Sequence, residues 1–240
     1  MTPCKVTGCP SKAGRYSHLC RRHRTLKRLR GAPDQRALTA GKLKPFIKIA
    51  HRYMVARPYA DRFLPIFKEV WTQLLHEGTE PLRERERGHA YKRYELDAAV
   101  ELEGIQTTAN LEEILPLVVA IYLFREHSPN FFVSHDAFLV TLQRLVRKSS
   151  AGAYEMVWHE TRQTYAKKLR GLKMRAAVAL GKWMNENFAP NCGALAVEIT
   201  KHINRKADRK HVVTNAILDL RDAWRSDDSA AAQLPSEQTA

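Results

Sequence analysis

The sequence predicts a mainly α-helical protein, with a small cysteine- and histidine-containing module at the N-terminus followed by an α-helical bundle or array. Three of its four cysteines lie within the first 20 residues. From residue 43 onward, apolar residues recur at helical spacing, and Pro, Gly, Ser and Thr stand where helices begin and end. No run of alternating β-branched residues is bounded by turn signals, so no strand is predicted.

The N-terminal module has the ligand spacing of a structural zinc site. Such sites hold the ion tetrahedrally with four Cys or His side chains, which leaves no open position for catalysis. Gly8 lets the chain turn between the first two cysteines, and the last two ligands stand one turn apart at the start of a helix. His18 is the alternative fourth ligand. The ligands in the preferred pattern C-x4-C-x10-C-x2-H are Cys4, Cys9, Cys20 and His23.

The helix that follows this pattern is strongly basic. Residues 1–60 carry 15 Lys and Arg against a single acid, Asp34, whereas the remainder of the chain is almost neutral. Such asymmetry predicts a polyanionic partner, namely nucleic acid, with DNA favoured over RNA. An acidic protein partner and a merely solvated face are the alternatives. The predicted nucleic-acid contacts are Arg21, Arg22, Arg24, Lys27, Arg28, Arg30, Lys42 and Lys44.

The segment from residue 1 to 33 resembles the short treble-clef zinc modules of phage and mobile-element proteins. The shared features are a Cys knuckle, a Leu-Cys-x-x-His helix start and an Arg-rich helix that ends in Gly-x-Pro. The residues that match are Leu19, Cys20, His23, Arg28, Gly31 and Pro33; His18 and Arg24 depart from the usual Gly and Tyr. The resemblance implies zinc binding in a phage or mobile-element protein. It does not extend to residues 43–225, which resemble no family.

The domain boundaries follow from the positions of Gly and Pro residues and from changes in composition along the chain. Residues 1–33 form the basic module, 34–42 a linker, 43–225 an all-helical domain and 226–240 a polar, disordered tail. The first predicted helices cover 44–56, then Pro58 to about His76 with Gly78 as a stop, and a charged segment from Thr79 to about Glu103. Thr108 is predicted to cap a helix to Glu126, and Ser134 a helix to Lys148.

A long amphipathic helix is predicted over 154–188, because apolar residues recur there at steps of mostly three and four. We interpret its stripe as a core or helix–helix seam, or else as a surface for self-association or a protein partner. Shorter helices are expected at 194–206 and 212–225, which could form a helix-turn-helix around 206–211. The stripe consists of Trp158, Tyr165, Leu169, Leu172, Ala176, Ala179 and Trp183, and basic residues on its flanks form a possible second phosphate-facing surface.

Other function classes receive less support. The N-terminus has no apolar signal segment, and the longest apolar run, Ile114 to Phe124, is too short to span a bilayer, so a cytoplasmic protein without membrane association is expected. There is no Gly-rich phosphate loop, and an enzyme is not favoured. We therefore predict an accessory or regulatory nucleic-acid-binding protein. The alternatives are a helical subunit of a nucleoprotein assembly and, less favoured, a nuclease whose Mg²⁺ is held by acids of the 95–113 region.

Overall fold

The structure, a computed structural model, describes the backbone of residues 2–55 and 59–231, with side chains described over 2–54, 61–161 and 163–206. The chain divides into two compact units, 1–197 and 198–240. Both the cysteine module and the helical core belong to the first unit. The predicted helix start at Pro58 lies outside the described residues.

The predicted mainly α-helical fold is confirmed. Within the described residues there are seven α-helices and one two-stranded antiparallel sheet. The elements are α1 (Arg21–Arg30), α2 (Ala40–Val55), α3 (Tyr59–Glu86), α4 (Arg93–Thr108), α5 (Leu111–His127), α6 (His135–Lys148), β1 (Tyr154–His159), β2 (Thr164–Leu169) and α7 (Met174–Ala231).

Helix α5 forms the centre of the core. Its residues from Val118 to Phe124 are all buried, so the helix is enclosed on every side rather than along one stripe. Helices α2, α3 and α6 pack against it. At its C-terminal end Phe124 meets the edges of Phe46 and Phe131 at ring-centroid distances of 5.4 and 4.9 Å, and this aromatic cluster joins α2, α5 and the α5–α6 loop.

The beginning of α7 crosses closely over α6. A Cβ atom on Gly181 would lie 2.4 Å from the carbonyl oxygen of Leu139, so only glycine allows the two backbones to approach this far. Ala176, Leu180 and Met184 are buried along the same face. Tyr122 of α5 donates a hydrogen bond of 2.9 Å to Asn185, which fixes the α5–α7 contact.

The predicted helix stop at Gly78 is wrong, because α3 continues to Glu86. A Cβ on Gly78 would stand 2.3 Å from a methyl carbon of Leu102, so this glycine admits α4 to close contact instead of ending the helix. The chain reverses at Gly88, which has a φ of 87°, and the predicted segment from Thr79 to Glu103 is thus divided between α3 and α4.

Of the two predicted helix caps, Ser134 is confirmed and Thr108 is wrong. Ser134 caps α6 as expected, because its hydroxyl accepts a hydrogen bond of 3.1 Å from the Ala137 amide. Thr108 does not cap α5, since it is the last residue of α4. Asn110 takes that role and accepts from the amide of Glu112 at 3.0 Å.

The predicted long helix over 154–188 is wrong in its first half, which forms a β-hairpin instead. Strands β1 and β2 pair so that Trp158 stands opposite Tyr165, with ring centroids 5.1 Å apart. This one pair is seven residues apart, and the same interval is one heptad of a helix, so the spacing of these two residues could not separate the two structures. The turn has no Gly, Pro or Asn; Gln163 adopts the left-handed conformation with φ 47°.

Helix α7 replaces the two shorter helices predicted at 194–206 and 212–225. It is continuous across 206–211, so the alternative of a helix-turn-helix around these residues does not hold. The charged residues there include neither Gly nor Pro, and nothing in them breaks a helix. The disordered tail predicted at 226–240 is wrong over residues 226–231, which are helical because α7 reaches Ala231; residues 232–240 lie outside the described part of the chain.

The cysteine module is attached to the helical core through the C-terminal end of α1. Gly31 ends this helix with a φ of 86°, and a Cβ there would stand 2.5 Å from the Cα atom of Ala137 in α6. Gln35, which is 2% exposed, accepts from the amide of Val133 at 3.0 Å and donates to the carbonyl of Phe131 at 3.3 Å. The linker is therefore hydrogen-bonded to the α5–α6 loop.

We expect Gly31→Ala to destabilise the protein by about 2–4 kcal/mol. The left-handed conformation costs an L-residue roughly 1–2 kcal/mol, and the added methyl group would press on the α6 backbone. Urea unfolding measures the change. Gly41→Ala is the matched control, because a Cβ there meets nothing within 4 Å and the residue lies in a helix. Equal unfolding midpoints for Gly31→Ala and the parent would contradict the proposed contact.

Candidate metal centre and nucleic-acid interface

A short backbone scaffold brings the first two cysteines together. Residues on either side of the turn are joined by hydrogen bonds from the Cys4 amide to the Ser11 carbonyl, at 3.1 Å, and from the Ala13 amide to the Thr2 carbonyl, at 2.9 Å. Gly8 has a φ of 75° at the tip, as the sequence predicted. The Lys5 amide donates to the His18 carbonyl at 2.8 Å and ties this turn to the segment before α1.

The other two ligands lie at the start of α1. Cys20 is the N-cap residue, and its sulfur accepts a hydrogen bond of 3.5 Å from the amide of His23. The imidazole of His23 is thereby directed to the same side of the first turn. The orientation of α1 is therefore fixed by the residues that also form the candidate metal site.

The four predicted ligands converge with the dimensions of a tetrahedral site. Their ligand atoms all lie within 4.8 Å of one another. The Cys9 and Cys20 sulfurs are 3.9 Å apart, and Nδ1 of His23 is 3.4 Å from the sulfurs of both Cys4 and Cys20. Metal–sulfur bonds of about 2.3 Å and metal–nitrogen bonds of about 2.0–2.1 Å place tetrahedral neighbours roughly 3.6–3.8 Å apart. The group is thus positioned to hold one metal ion.

The electrostatics of the cluster also favour a cation. The backbone amides of Cys20 and Val6 donate to the Cys4 sulfur and lower the pKa of Cys4 to about 6. The Ser11 backbone lowers the pKa of Cys9, but burial and the neighbouring Cys4 and Cys20 sulfurs outweigh it and leave that pKa raised. Several thiolates cannot share so small a space unaided, and a bound metal ion would offset their repulsion.

His18, the alternative ligand, lies outside the cluster. Its side chain is exposed, whereas Cys4 and Cys20 are buried and His23 is half-buried beside them. Among the described residues, the group of Cys4, Cys9, Cys20 and His23 is the one set of three or more Cys, His or acidic side chains that converges in this way. The acids of the 95–113 region form no such group. Glu101 is buried and pairs with Arg147 at 2.7 Å.

The predicted cations of α1 form an exposed, uncompensated surface. None of the side chains of α1 is buried, and no ion pair involves them within the described part of the chain. Exposed cations without an ion-pair partner can contact the phosphates of a nucleic-acid backbone without first breaking an existing interaction. The fully exposed members are Arg21, Arg22, Arg24, Lys27 and Arg28.

The remaining predicted contacts have other surroundings. Arg30 is half-buried and donates to the Gln35 carbonyl at 3.0 Å, so it also closes the linker. Lys42 is exposed, with its ammonium 5.2 Å from the centre of the Phe131 ring. Lys44 is exposed on α2. Arg30 therefore differs from the exposed cations of α1, and Lys42 and Lys44 lie on α2.

Sequence reasoning missed one basic residue that the fold brings to α1. Arg144 of α6 donates to the Leu29 carbonyl at 3.2 Å, although 115 positions separate them. Lys168 and Arg170 are among the basic residues that the sequence places on the flanks of the predicted 154–188 helix, but the hairpin brings them to the same cleft as Arg144. No local sequence signal indicates this juxtaposition, because it depends on contacts between residues far apart in the chain.

Comparisons with protein-family models, with curated proteins and with solved structures found no match to this chain. Over the described residues, no helix is both long and apolar enough to cross a membrane. The function is therefore inferred from the chain's own residues.

We expect about one metal ion per chain, lost on substitution of a ligand. Cys20→Ser should bind less than a tenth of the metal bound by the parent, because it removes a thiolate and disturbs the start of α1. Elemental analysis of protein purified without added metal measures the ratio. His18→Ala is the control and should keep the full complement. Metal retained by Cys20→Ser, or lost from His18→Ala, would show that the ligand set is wrong.

Proposed function

We propose that this chain is a zinc-stabilised nucleic-acid-binding protein that acts as an accessory or regulatory factor of a phage or mobile element. The observation that carries the proposal is the unpaired cationic face of α1, which begins at two of the four candidate ligands. Zinc is the metal of choice for three thiolates and one imidazole in a tetrahedral arrangement. The phage or mobile-element origin rests on the resemblance of the N-terminal module.

The form of α1 supports DNA over RNA as the partner. A helix of ten residues with exposed arginines at Arg21, Arg24 and Arg28 suits the major groove of B-DNA, which admits an α-helix. The major groove of duplex RNA is too narrow and deep for such entry. The helix offers Arg and Lys almost exclusively, so contacts with phosphate would dominate and sequence preference would be weak.

A role as a subunit of a larger nucleoprotein assembly is the second candidate. The β-hairpin favours it, because Trp158 and Tyr165 are 49% and 65% exposed and Met156 beside them is 58% exposed. Large apolar side chains exposed together are typical of protein contact surfaces. This hairpin replaces the helix through which a partner or self-association was expected. High-affinity binding of nucleic acid by the purified chain alone would favour the first candidate.

We expect Arg21→Ala combined with Arg24→Ala to weaken binding to duplex DNA and to make its salt dependence shallower. Each lost phosphate contact reduces the slope of log affinity against log salt by about 0.9, so the decrease should reach about two units. Fluorescence anisotropy at several salt concentrations measures both quantities, with duplex RNA as a parallel probe.

The control for this experiment is a second double variant, which removes the same number of positive charges from another part of the first unit. Lys68→Ala combined with Arg85→Ala removes two exposed cations from α3 and should leave the slope almost unchanged. Metal content should be equal in all three proteins. If the α1 variant binds like the parent at every salt concentration, α1 is a solvated face and the proposal is wrong.

A further inference from the structure

A cleft lined by basic residues lies where α1, α6, the end of β2 and the start of α7 meet. Its volume is about 450 Å³, which falls in the range of roughly 300–1,000 Å³ typical of ligand pockets. Six of its lining residues are cationic and none is acidic. These six are Arg28, Arg144, Arg147, Lys168, Arg170 and Lys173.

The positive charge of the cleft is only partly neutralised. Glu101, behind the wall, bonds to Nε of Arg147 at 2.7 Å and to Arg170 at 3.4 Å, so one carboxylate serves two guanidinium groups. Lys168 and Lys173 pair with Glu155 at 3.7 Å and Asp97 at 3.4 Å. The cations of the cleft that have no carboxylate partner within the described residues are therefore Arg28 and Arg144. Burial, together with the charges of Arg147 and Arg30, lowers the pKa of Arg144. An anion in the cleft would relieve this repulsion.

Two arginines of the cleft, Arg147 and Arg170, are positioned before any ligand arrives. Arg147 is 3% exposed and also donates to the Arg170 carbonyl at 2.8 Å, while Arg170 donates to the Gly152 carbonyl at 2.7 Å. These bonds hold the end of the hairpin against α6 and leave little side-chain entropy to be lost on binding.

One buried polar atom in the wall also lacks a partner. Gln143 is 3% exposed and lines the cleft, and its Nε2 donates to the Val140 carbonyl at 2.9 Å. Its Oε1 has no hydrogen-bond donor among the described residues. Such atoms are costly in native proteins and are usually satisfied by ordered water or a bound molecule. Because Oε1 is an acceptor, it needs a donor, which a water molecule or a hydroxyl group of a ligand would supply and an ionised phosphate oxygen would not.

We propose that this cleft binds a phosphate monoester, supplied either by the end of a nucleic-acid strand or by a free nucleotide. A terminal phosphate carries up to two negative charges against one on an internal phosphodiester, so a site with several guanidinium groups prefers the terminus. If the phosphate belongs to the end of a strand, this inference rests on the proposed nucleic-acid binding, and the terminal phosphate is the group that the cleft recognises. Arg28 belongs to both α1 and the cleft, so a strand lying along α1 can place its end there.

The test compares the full-length protein on duplex DNA of one sequence with 5′-phosphate, 3′-phosphate or hydroxyl ends, and on a covalently closed circle. A nucleoside monophosphate and inorganic phosphate are titrated separately by calorimetry. We expect the protein to bind one phosphorylated end about tenfold more tightly than the hydroxyl end, because charged hydrogen bonds of this kind change affinity by at least that factor. Binding of the monophosphate without an end preference would identify a free nucleotide as the source.

Arg144→Gln should abolish the preference. Arg28→Gln should reduce it, and this variant alters an exposed side chain that makes no hydrogen bond or ion pair with the described residues. Arg22→Gln removes the same charge from the same helix outside the cleft and should leave the preference intact. Equal affinity for all ends together with no binding of the monophosphate would overturn the inference, as would a preference that survives in both cleft variants. Binding of the closed circle reports on the proposed function separately, since a circle has no ends.

Discussion

The cluster of Cys4, Cys9, Cys20 and His23 is the interaction on which residues 2–30 depend. Between residues 2 and 30 the buried apolar side chains are Cys4 and Cys20, and α1 itself buries none. A segment with so little core cannot offset the entropy lost on ordering, whereas a metal ion held by the four candidate ligands would contribute the missing free energy. The metal ligands therefore decide whether α1 has a fixed direction at all.

The second constraint acts at the opposite end of α1. Gly31 permits a close contact with α6, and Gln35 and Arg30 hold the linker by hydrogen bonds. With the ligands at its start and Gly31 at its end, α1 is attached at both termini and its cations point to solvent. This attachment also brings Arg28 and Arg144 to the same cleft, so that the basic face of α1 and the basic cleft are adjacent.

The parts of this structure that the sequence predicted well are those fixed by local chemistry. Ligand spacing identified Cys4, Cys9, Cys20 and His23, and a single hydroxyl in front of an amphipathic run located the start of α6 at Ser134. The hairpin was missed because its turn uses Gln163 rather than Gly or Asn, and because the cross-strand pair Trp158–Tyr165 is seven residues apart, which is also the interval of a heptad. Gly78 was wrongly predicted to end a helix. Its role depends on tertiary packing, because the missing side chain makes room for Leu102 of α4. The cleft depends on contacts between residues over a hundred positions apart, which no local pattern reveals.

The most direct test of a metal-organised basic module is the affinity for duplex DNA before and after removal of the metal. We predict that a chelator lowers affinity at least tenfold, that added zinc restores it, and that circular dichroism keeps most of its helical signal because α2 to α6 retain their core. Undiminished binding by metal-free protein would contradict the account, because α1 would then present its arginines without the cluster.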